Sequence, residues 1–282
     1  MNKAILTIFE AKKIIKAQKL GHSGCEVSLN LGKSIQKVFF DENWVVLNGE
    51  KVSFENFKKL KEDTCYVAED NELKSVDFFG EDTNIFYKLV PTKDWPTVML
   101  SSVPMHRFKT ISPKTSAQLM VDSVSPLVGR VLDTCCGLGY TAITAAKYSS
   151  AVESVVVFEK DSNVLRIVEY NPYSEELFSN KKIKLKNADV FDEIKKLPSD
   201  YFDRIVHDPP TVSFAKELYS DEFYKEVFRV AKIGAIIYHY CPNPGKTKGT
   251  EFWRSIEKML LRNGFSNCKY NPKASGISCV KQ

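Results

Sequence analysis

Four acidic residues between positions 133 and 208, each closing or following a short apolar run, are the groups best placed to do chemistry. Asp133 follows Val131 and Leu132 and opens the run DTCCGLGY, in which Gly137 and Gly139 bracket a tight turn. Glycine lets a backbone approach a ligand because it has no Cβ, so a strand, this turn and a small-residue helix predict a nucleotide-type cofactor loop. Glu159 stands twenty residues after Gly139, at the end of SVVVFE. A carboxylate there accepts from both hydroxyls of a ribose. Asp189 follows KIKLKNA and is placed to accept from an adenine amino group. Asp208 opens Asp208-Pro209-Pro210-Thr211, preceded by His207, where two prolines lock a turn.

The elements that must hold these groups alternate. Ser112 and Pro113 start a helix, SPKTSAQLMVDSV. The segments ending in Asp133, Glu159, Asp189 and His207 then read as buried strands separated by helices, and GAIIYHY as a fifth strand. TEFWRSIEKMLLRNG is a long amphipathic helix, and FSNCKYNP with GISCVKQ a terminal antiparallel pair. Such alternation predicts an α/β fold: a doubly wound, mostly parallel, seven-stranded sheet. Ligands of such sheets bind beyond the carboxyl ends of the strands, so the sites collect at Asp133 to Tyr140, Glu159 to Asp161, Asn187 to Val190, His207 to Thr211 and Tyr240 to Pro244.

Residues 1–95 read as a small α+β domain: an opening helix with Lys12, Lys13 and Lys16 towards solvent, then short strands. Asn48-Gly49 is its strongest hairpin signal. This domain serves either to recognise substrate or as a lid or homodimer surface. Residues 96–111 are an irregular, proline-bearing connector, followed by the domain at 112–282. His106 and Arg107 in the connector either grip an anionic or hydrogen-bonding substrate group or are surface and capping residues. His207 is a base, a substrate contact, or a strand-end histidine with satisfied nitrogens. His239 falls within an apolar strand. Lys246 and Lys248 lie in a basic loop, PNPGKTKG.

The net charge of +5 is compatible with an anionic partner without being a nucleic-acid signature. No apolar run reaches membrane-spanning length, and the N-terminus lacks the apolar core of a signal peptide. Seven cysteines without metal-ligand spacing, two of them adjacent at Cys135 and Cys136, predict reduced thiols, no metal and a cytoplasmic setting.

D-x-x-x-G-x-G after the first strand, an acidic end to the second, N-A-D after the third and D-P-P after the fourth resemble the Rossmann-like S-adenosylmethionine-dependent methyltransferases over residues 110–282. VPMHR, LDTCCGLGYTA, NPYS and HDPPTVSF are similar to a group of predicted archaeal methyltransferases with spermidine synthase-like neighbours. The resemblance implies S-adenosylmethionine as cofactor. Asp133, Cys135, Gly137, Gly139 and Tyr140 would line its methionine end, Glu159 would hold its ribose and Asp189 with Val190 its adenine, Lys160 also binding the cofactor and the cysteines acting as small fillers. It further implies that Asp208, Pro209, Pro210 and His207 form the catalytic turn, in which a carboxylate and a proline-linked carbonyl accept the hydrogens of a target amino group. His106, Arg107, Thr211, Phe214 and Tyr240 would meet the substrate. Thr211 stands where an aromatic stacks on the base in amino-methylating relatives, and Phe214 is the nearest ring. RNA is the leading acceptor class. A small amine receiving a methyl or aminopropyl group is the alternative.

Overall fold

The computed structural model describes residues 3–241 and 252–282. The chain divides into two compact units: Met1–Lys114 with Asn163–Glu175, and Thr115–Ser162 with Glu176–Gln282.

The first unit runs β1 (Ala4–Leu6), α1 (Ile8–Lys19), β2 (Gly24–Val27), β3 (Gln36–Phe40), β4 (Trp44–Leu47), β5 (Glu50–Ser53), β6 (Tyr66–Glu69), β7 (Glu72–Ser75), β8 (Asp77–Gly80), β9 (Ile85–Val90), β10 (Thr97–Leu100) and β11 (Val103–Pro104). The strands make three antiparallel sheets, ordered β1-β6-β7, β2-β3-β4-β5 and β11-β10-β9-β8. The opening segment is not all helix, because Ala4 to Leu6 pairs with β6. Helix α1 then starts at a capping box in which the Thr7 hydroxyl accepts from the Phe9 amide and Glu10 from the Thr7 amide. Period-2 alternation sends Val38, Phe40, Val45, Leu47 and Val52 into a core shared with Ala11 and Ile14 of α1. Asn48 and Gly49, at φ 48° and 96°, close the β4–β5 hairpin as their sequence predicts. The proline-bearing stretch around residues 96–111 departs from the irregular path expected of it. Its β10 and β11 extend a sheet, with Pro96 and Pro104 at strand ends, where a missing N–H costs no ladder bond.

From α2 (Pro113–Asp122) the chain runs β12 (Gly129–Asp133), α3 (Tyr140–Tyr148), β13 (Val152–Glu159), α4 (Ser162–Val168), α5 (Glu176–Ser179), β14 (Ile183–Asn187), α6 (Val190–Glu193), β15 (Phe202–His207), α7 (Asp221–Val230), β16 (Ala231–Tyr240), α8 (Phe252–Arg262), β17 (Phe265–Asn271) and β18 (Gly276–Lys281). The sheet of the second unit is ordered β14-β13-β12-β15-β16-β18-β17, with β12 to β16 parallel and the last two strands antiparallel. Strand order reverses beside β12, which opens the crevice that α/β sheets use for ligands. Phe223, Tyr224, Val227 and Val230 of α7, and Ile256 and Leu260 of α8, pack against Phe202, Ile205 and Ile237 of the sheet.

One expectation is corrected. Cys268 and Cys279 form a disulfide across β17 and β18, so the thiols are not all reduced. The strand pairing juxtaposes the two sulfurs, while eleven residues of sequence separation gave no sign of it. Among the described residues no cluster of three or more His, Cys, Asp or Glu could hold a metal ion, and no helix is long and apolar enough to cross a membrane.

Candidate active site at the carboxyl ends of the parallel strands

The loop after β12 is pinned from both sides. The Thr134 amide donates to the Val206 carbonyl of β15 at 3.1 Å, and the Cys136 amide to the Phe158 carbonyl of β13 at 2.7 Å. Gly137 and Gly139 hold φ of 53° and 77°, where a side chain is strained. A Cβ on Gly139 would also meet Leu177 at 3.0 Å. The loop amide of Gly137 donates to Glu159 Oε2 at 2.8 Å, and the Asp161 amide to Oε1 at 3.0 Å. Asp133 is buried, accepting from the Thr141 hydroxyl and, at 3.4 Å, from the Cys135 amide.

Burial pushes the Asp133 and Glu159 carboxyls up to about 7, against the opposing pull of these hydrogen bonds. Two carboxyls with raised pKa, beside a turn in which Gly137 and Gly139 carry no side chain, fit a ligand that brings its own ammonium and hydroxyl donors. Cys135 and Cys136 lie in the same loop, and burial raises both thiols well above their usual range. They therefore remain uncharged, which suits small fillers better than nucleophiles. Tyr140 is buried at the first position of α3.

Asp189 takes a second role. Its Oδ1 caps α6 by accepting from the Phe191 amide at 2.9 Å, and its Oδ2 pairs with Lys160 at 2.6 Å. Any adenine amino group would share Oδ2 with that lysine. Lys160 is itself largely exposed, reaching Glu217 at 3.9 Å, and Val190 is buried as the first residue of α6.

Beyond β15, Asp208 is half-buried, Pro209 buried, and Pro210 and Thr211 exposed. His207 beneath them is fully buried. Its Nδ1 lies 2.7 Å from the Thr134 hydroxyl and its Nε2 3.3 Å from the Leu218 carbonyl. This network assigns the proton to Nε2, which donates to the carbonyl while Nδ1 accepts from Thr134. Of the three roles open to His207, the satisfied strand-end histidine is the one this geometry matches, and no ring nitrogen faces solvent. His239, one strand over and in register with His207, stacks edge-on to it at 4.6 Å. Its Nε2 accepts from the Tyr224 hydroxyl at 2.8 Å and its Nδ1 donates to the Tyr240 carbonyl at 2.7 Å. Burial lowers both histidines, His239 to about 4, so the pair is neutral.

Thr211 bonds Ser213 at 2.9 Å, and Phe214 is 56% exposed three residues past the turn. Tyr240 closes β16, half-buried. His106 and Arg107 belong to the first unit, where the His106 amide and Nδ1 both bond the Thr97 hydroxyl, at 3.2 and 3.0 Å. Pro244, Lys246 and Lys248 lie outside the described residues. Thr134, Thr141 and Tyr219 were not singled out by sequence. Hydroxyl residues beside a loop carry no spacing signal.

Residues 110–232 match the family described as Methyltransferase small domain. The uncharacterized protein MJ1233 of Methanocaldococcus jannaschii is 38% identical over 277 residues, covering 96% of this chain and 93% of that one. In fold, the chain is similar to a spermidine synthase in complex with the transition state analogue AdoDATO (TM-score 0.59, 14% identity, 73% of each chain). It is also similar to the spermidine synthase of Thermotoga maritima (TM-score 0.56, 14% identity, 72% of this chain and 71% of that one). Matched along nearly its whole length by the archaeal protein, and by a methyltransferase family over the strands that carry the glycine loop and the D-P-P turn, the chain belongs to one family with that protein and carries a methyltransferase domain of Rossmann-like fold.

Proposed function

We propose that the chain methylates a nitrogen atom of RNA, with Asp208-Pro209-Pro210 as the turn that receives the target amino group. The register of β12 against β15 carries this reading. Asp133 pairs with Val206 and the Thr134 amide bonds the Val206 carbonyl, so Asp208 comes level with the glycine loop. Bound in that loop, S-adenosylmethionine supplies a methyl group on a positively charged sulfur. Glu159 would accept from its ribose, and Asp133 would orient its ammonium, directly or through water. The Asp208 carboxylate and the Pro209 carbonyl accept the two N–H hydrogens of a planar amino group, drawing its lone pair out of conjugation and towards the methyl carbon. His207 and Thr134 hold the turn from beneath, so catalysis is chiefly positioning and polar stabilisation.

RNA is supported by the surface beside the turn. Val212 and Phe214 are 40% and 56% exposed and Lys216 is exposed, an apolar face with a cation that suits a base and its phosphate. A second reading, transfer of a methyl or aminopropyl group to a small amine held by Asp208, draws on the likeness to spermidine synthases, which reaches 73% of this chain. Incubating the protein with methyl-labelled cofactor and separate RNA, protein and polyamine pools distinguishes them. Label in RNA is expected. Label in the polyamine pool alone, or in none, overturns the RNA reading. Asp208→Ala is expected to abolish labelling while cofactor affinity changes less than about three-fold, and loss of both together removes Asp208 from the catalytic role.

A further inference from the structure

The β2-β3-β4-β5 sheet of the first unit buries one face and leaves the other to solvent, and the exposed face is not an ordinary polar one. Phe39 is 59% exposed, Val46 45% and Trp44 38%. Phe39 on β3 stands directly across from Val46 on β4, and Trp44 lies two residues along β4 on the same side. Phe39 and Trp44 are therefore diagonal neighbours on the sheet, their backbones about 7 to 8 Å apart by strand geometry. Each carries a lysine: Lys37 lies 5.2 Å from the Phe39 ring centroid and Lys51 5.5 Å from that of Trp44. Lys51 is in register with Val46, so both cations rise from the face that bears the rings.

The platform is held firmly. Asp41 accepts from the amides of Asn43 and Trp44, each at 2.8 Å, which fixes the turn that delivers Trp44. The side chain of Gln36 bonds that of Asn48 at 2.6 Å, tying β3 to the next hairpin. Glu26 shares this face, in register with Lys37 on the neighbouring strand, where it is already opposed by a cation.

From these positions we infer that the outer face of β2 to β5 is a binding platform for single-stranded RNA, on which two successive bases stack on Phe39 and Trp44 while Lys37 and Lys51 meet the flanking phosphates. Flat rings spaced along a sheet accept the faces of unpaired bases, which a duplex keeps stacked inside itself. The lysines now lying over the rings are long enough to swing aside to a phosphate. Charge complementarity is local to this face, since acidic and basic residues nearly balance over the first hundred residues. That favours short single strands over the broad backbone contact of a duplex. The inference rests on the face itself and not on the proposed acceptor chemistry. In the unaltered protein, strand binding without methyl transfer would overturn the proposed function alone, and Asp208→Ala, which should lose transfer, is expected to keep the platform and bind.

The test is a titration of the intact protein with a short, fluorescently labelled, mixed-sequence single-stranded RNA, repeated across salt concentrations and against the matching duplex. Binding of the single strand over the duplex is expected, with quenching of tryptophan emission. Trp44→Ala and Phe39→Ala should each weaken it about ten-fold, and the paired change Lys37→Ala and Lys51→Ala should make the salt dependence shallower by about 1.4 in log–log slope, two phosphate contacts' worth for a single strand. All four side chains are exposed, and unchanged thermal melting confirms that the variants fold. Leu261→Ala, exposed in the second unit, is expected to bind as the unaltered protein does. Equal binding of duplex, or affinity unchanged in Trp44→Ala and Phe39→Ala, overturns the platform. Concentration-dependent self-association abolished by Trp44→Ala, with no RNA affinity, overturns it in favour of a second copy of the chain on this face.

Discussion

The hydroxyl of Tyr219 donates to the carbonyl of Pro210 at 2.8 Å, so the D-P-P turn is fastened at its far end by a side chain nine residues on. Burial raises the Tyr219 phenol above its ordinary range, helped by the nearby charge of Asp208, so it stays a donor. With Pro210 engaged, the proposed reading assigns the backbone acceptor for the substrate to Pro209. Tyr219→Phe should remove only this fastening. We expect kcat for methyl transfer to fall about ten-fold, the equivalent of one hydrogen bond of about 1.4 kcal/mol, with cofactor affinity unchanged. Steady-state kinetics beside calorimetric titration of cofactor checks this. An unchanged kcat would mean that the turn holds its shape through its prolines alone.

Cofactor binding should depend on pH through Asp133 and Glu159. Both carboxyls sit at about 7 in the fold, pushed up by burial. An arriving ammonium and ribose hydroxyls favour the ionised forms, so affinity rises with pH: about ten-fold from pH 6 to pH 8 if one group controls it, more if both do. The stability of the free protein runs the other way. Raised carboxyls keep the native chain more protonated than the unfolded one, so their contribution is complete below the unfolded pKa near 4 and is lost as pH rises through about 7. Calorimetry in two buffers of different ionisation enthalpy counts the protons released on binding. Glu159→Gln should release fewer while still accepting from the Gly137 amide.

The glycine loop gives a sharper structural test. At φ 77°, with Leu177 at 3.0 Å from where a Cβ would stand, Gly139 has no room for a side chain. Gly139→Ala should cost about 1 to 2 kcal/mol from backbone conformation alone, lowering the denaturation midpoint, and weaken cofactor binding by shifting the loop. Adding Leu177→Ala should not recover the backbone cost, which separates strain from crowding.

Much of this site was legible because strand ends in a parallel sheet are marked by apolar runs that stop at a polar residue. Asp133, Glu159 and His207 each end such a run, and the register lines them up. The roles of individual side chains were less legible, because a role depends on what lies above and below in three dimensions. His207 looks like chemistry in a line of text. Its partners Thr134 and Leu218 are 73 and 11 residues away, and only the fold turns it into a buried support. Asp189 is similar: its position after a strand suggested a ligand contact, while the helix it caps and Lys160 claim its oxygens. The first unit was hardest to read, since residues 163–175 join it from the middle of the chain and sequence order gives no sign of that return.

The terminal hairpin carries the last prediction. Cys268 and Cys279 bridge β17 and β18, and β18 is the strand through which the hairpin joins the parallel sheet at β16. Lys281 near its end is buried, donating to the carbonyls of Phe228 and Ala231 at 2.9 and 2.7 Å and to Asp200 at 2.8 Å. The hairpin is thus held by a cross-link and by a lysine that cannot leave without orphaning two carbonyls. Closing a loop this short is expected to stabilise by about 2 to 3 kcal/mol, mainly through the unfolded chain. Lys281→Met should cost about 1 to 3 kcal/mol by leaving its acceptors unpaired. Denaturant unfolding with and without reductant separates the two. Reductant should lower the midpoint of the unaltered protein and leave that of the Cys268→Ser, Cys279→Ser double variant where it was, whereas Lys281→Met should lower it equally in both conditions. A midpoint of the unaltered protein indifferent to reductant would show that strand pairing and Lys281 hold the hairpin without the cross-link.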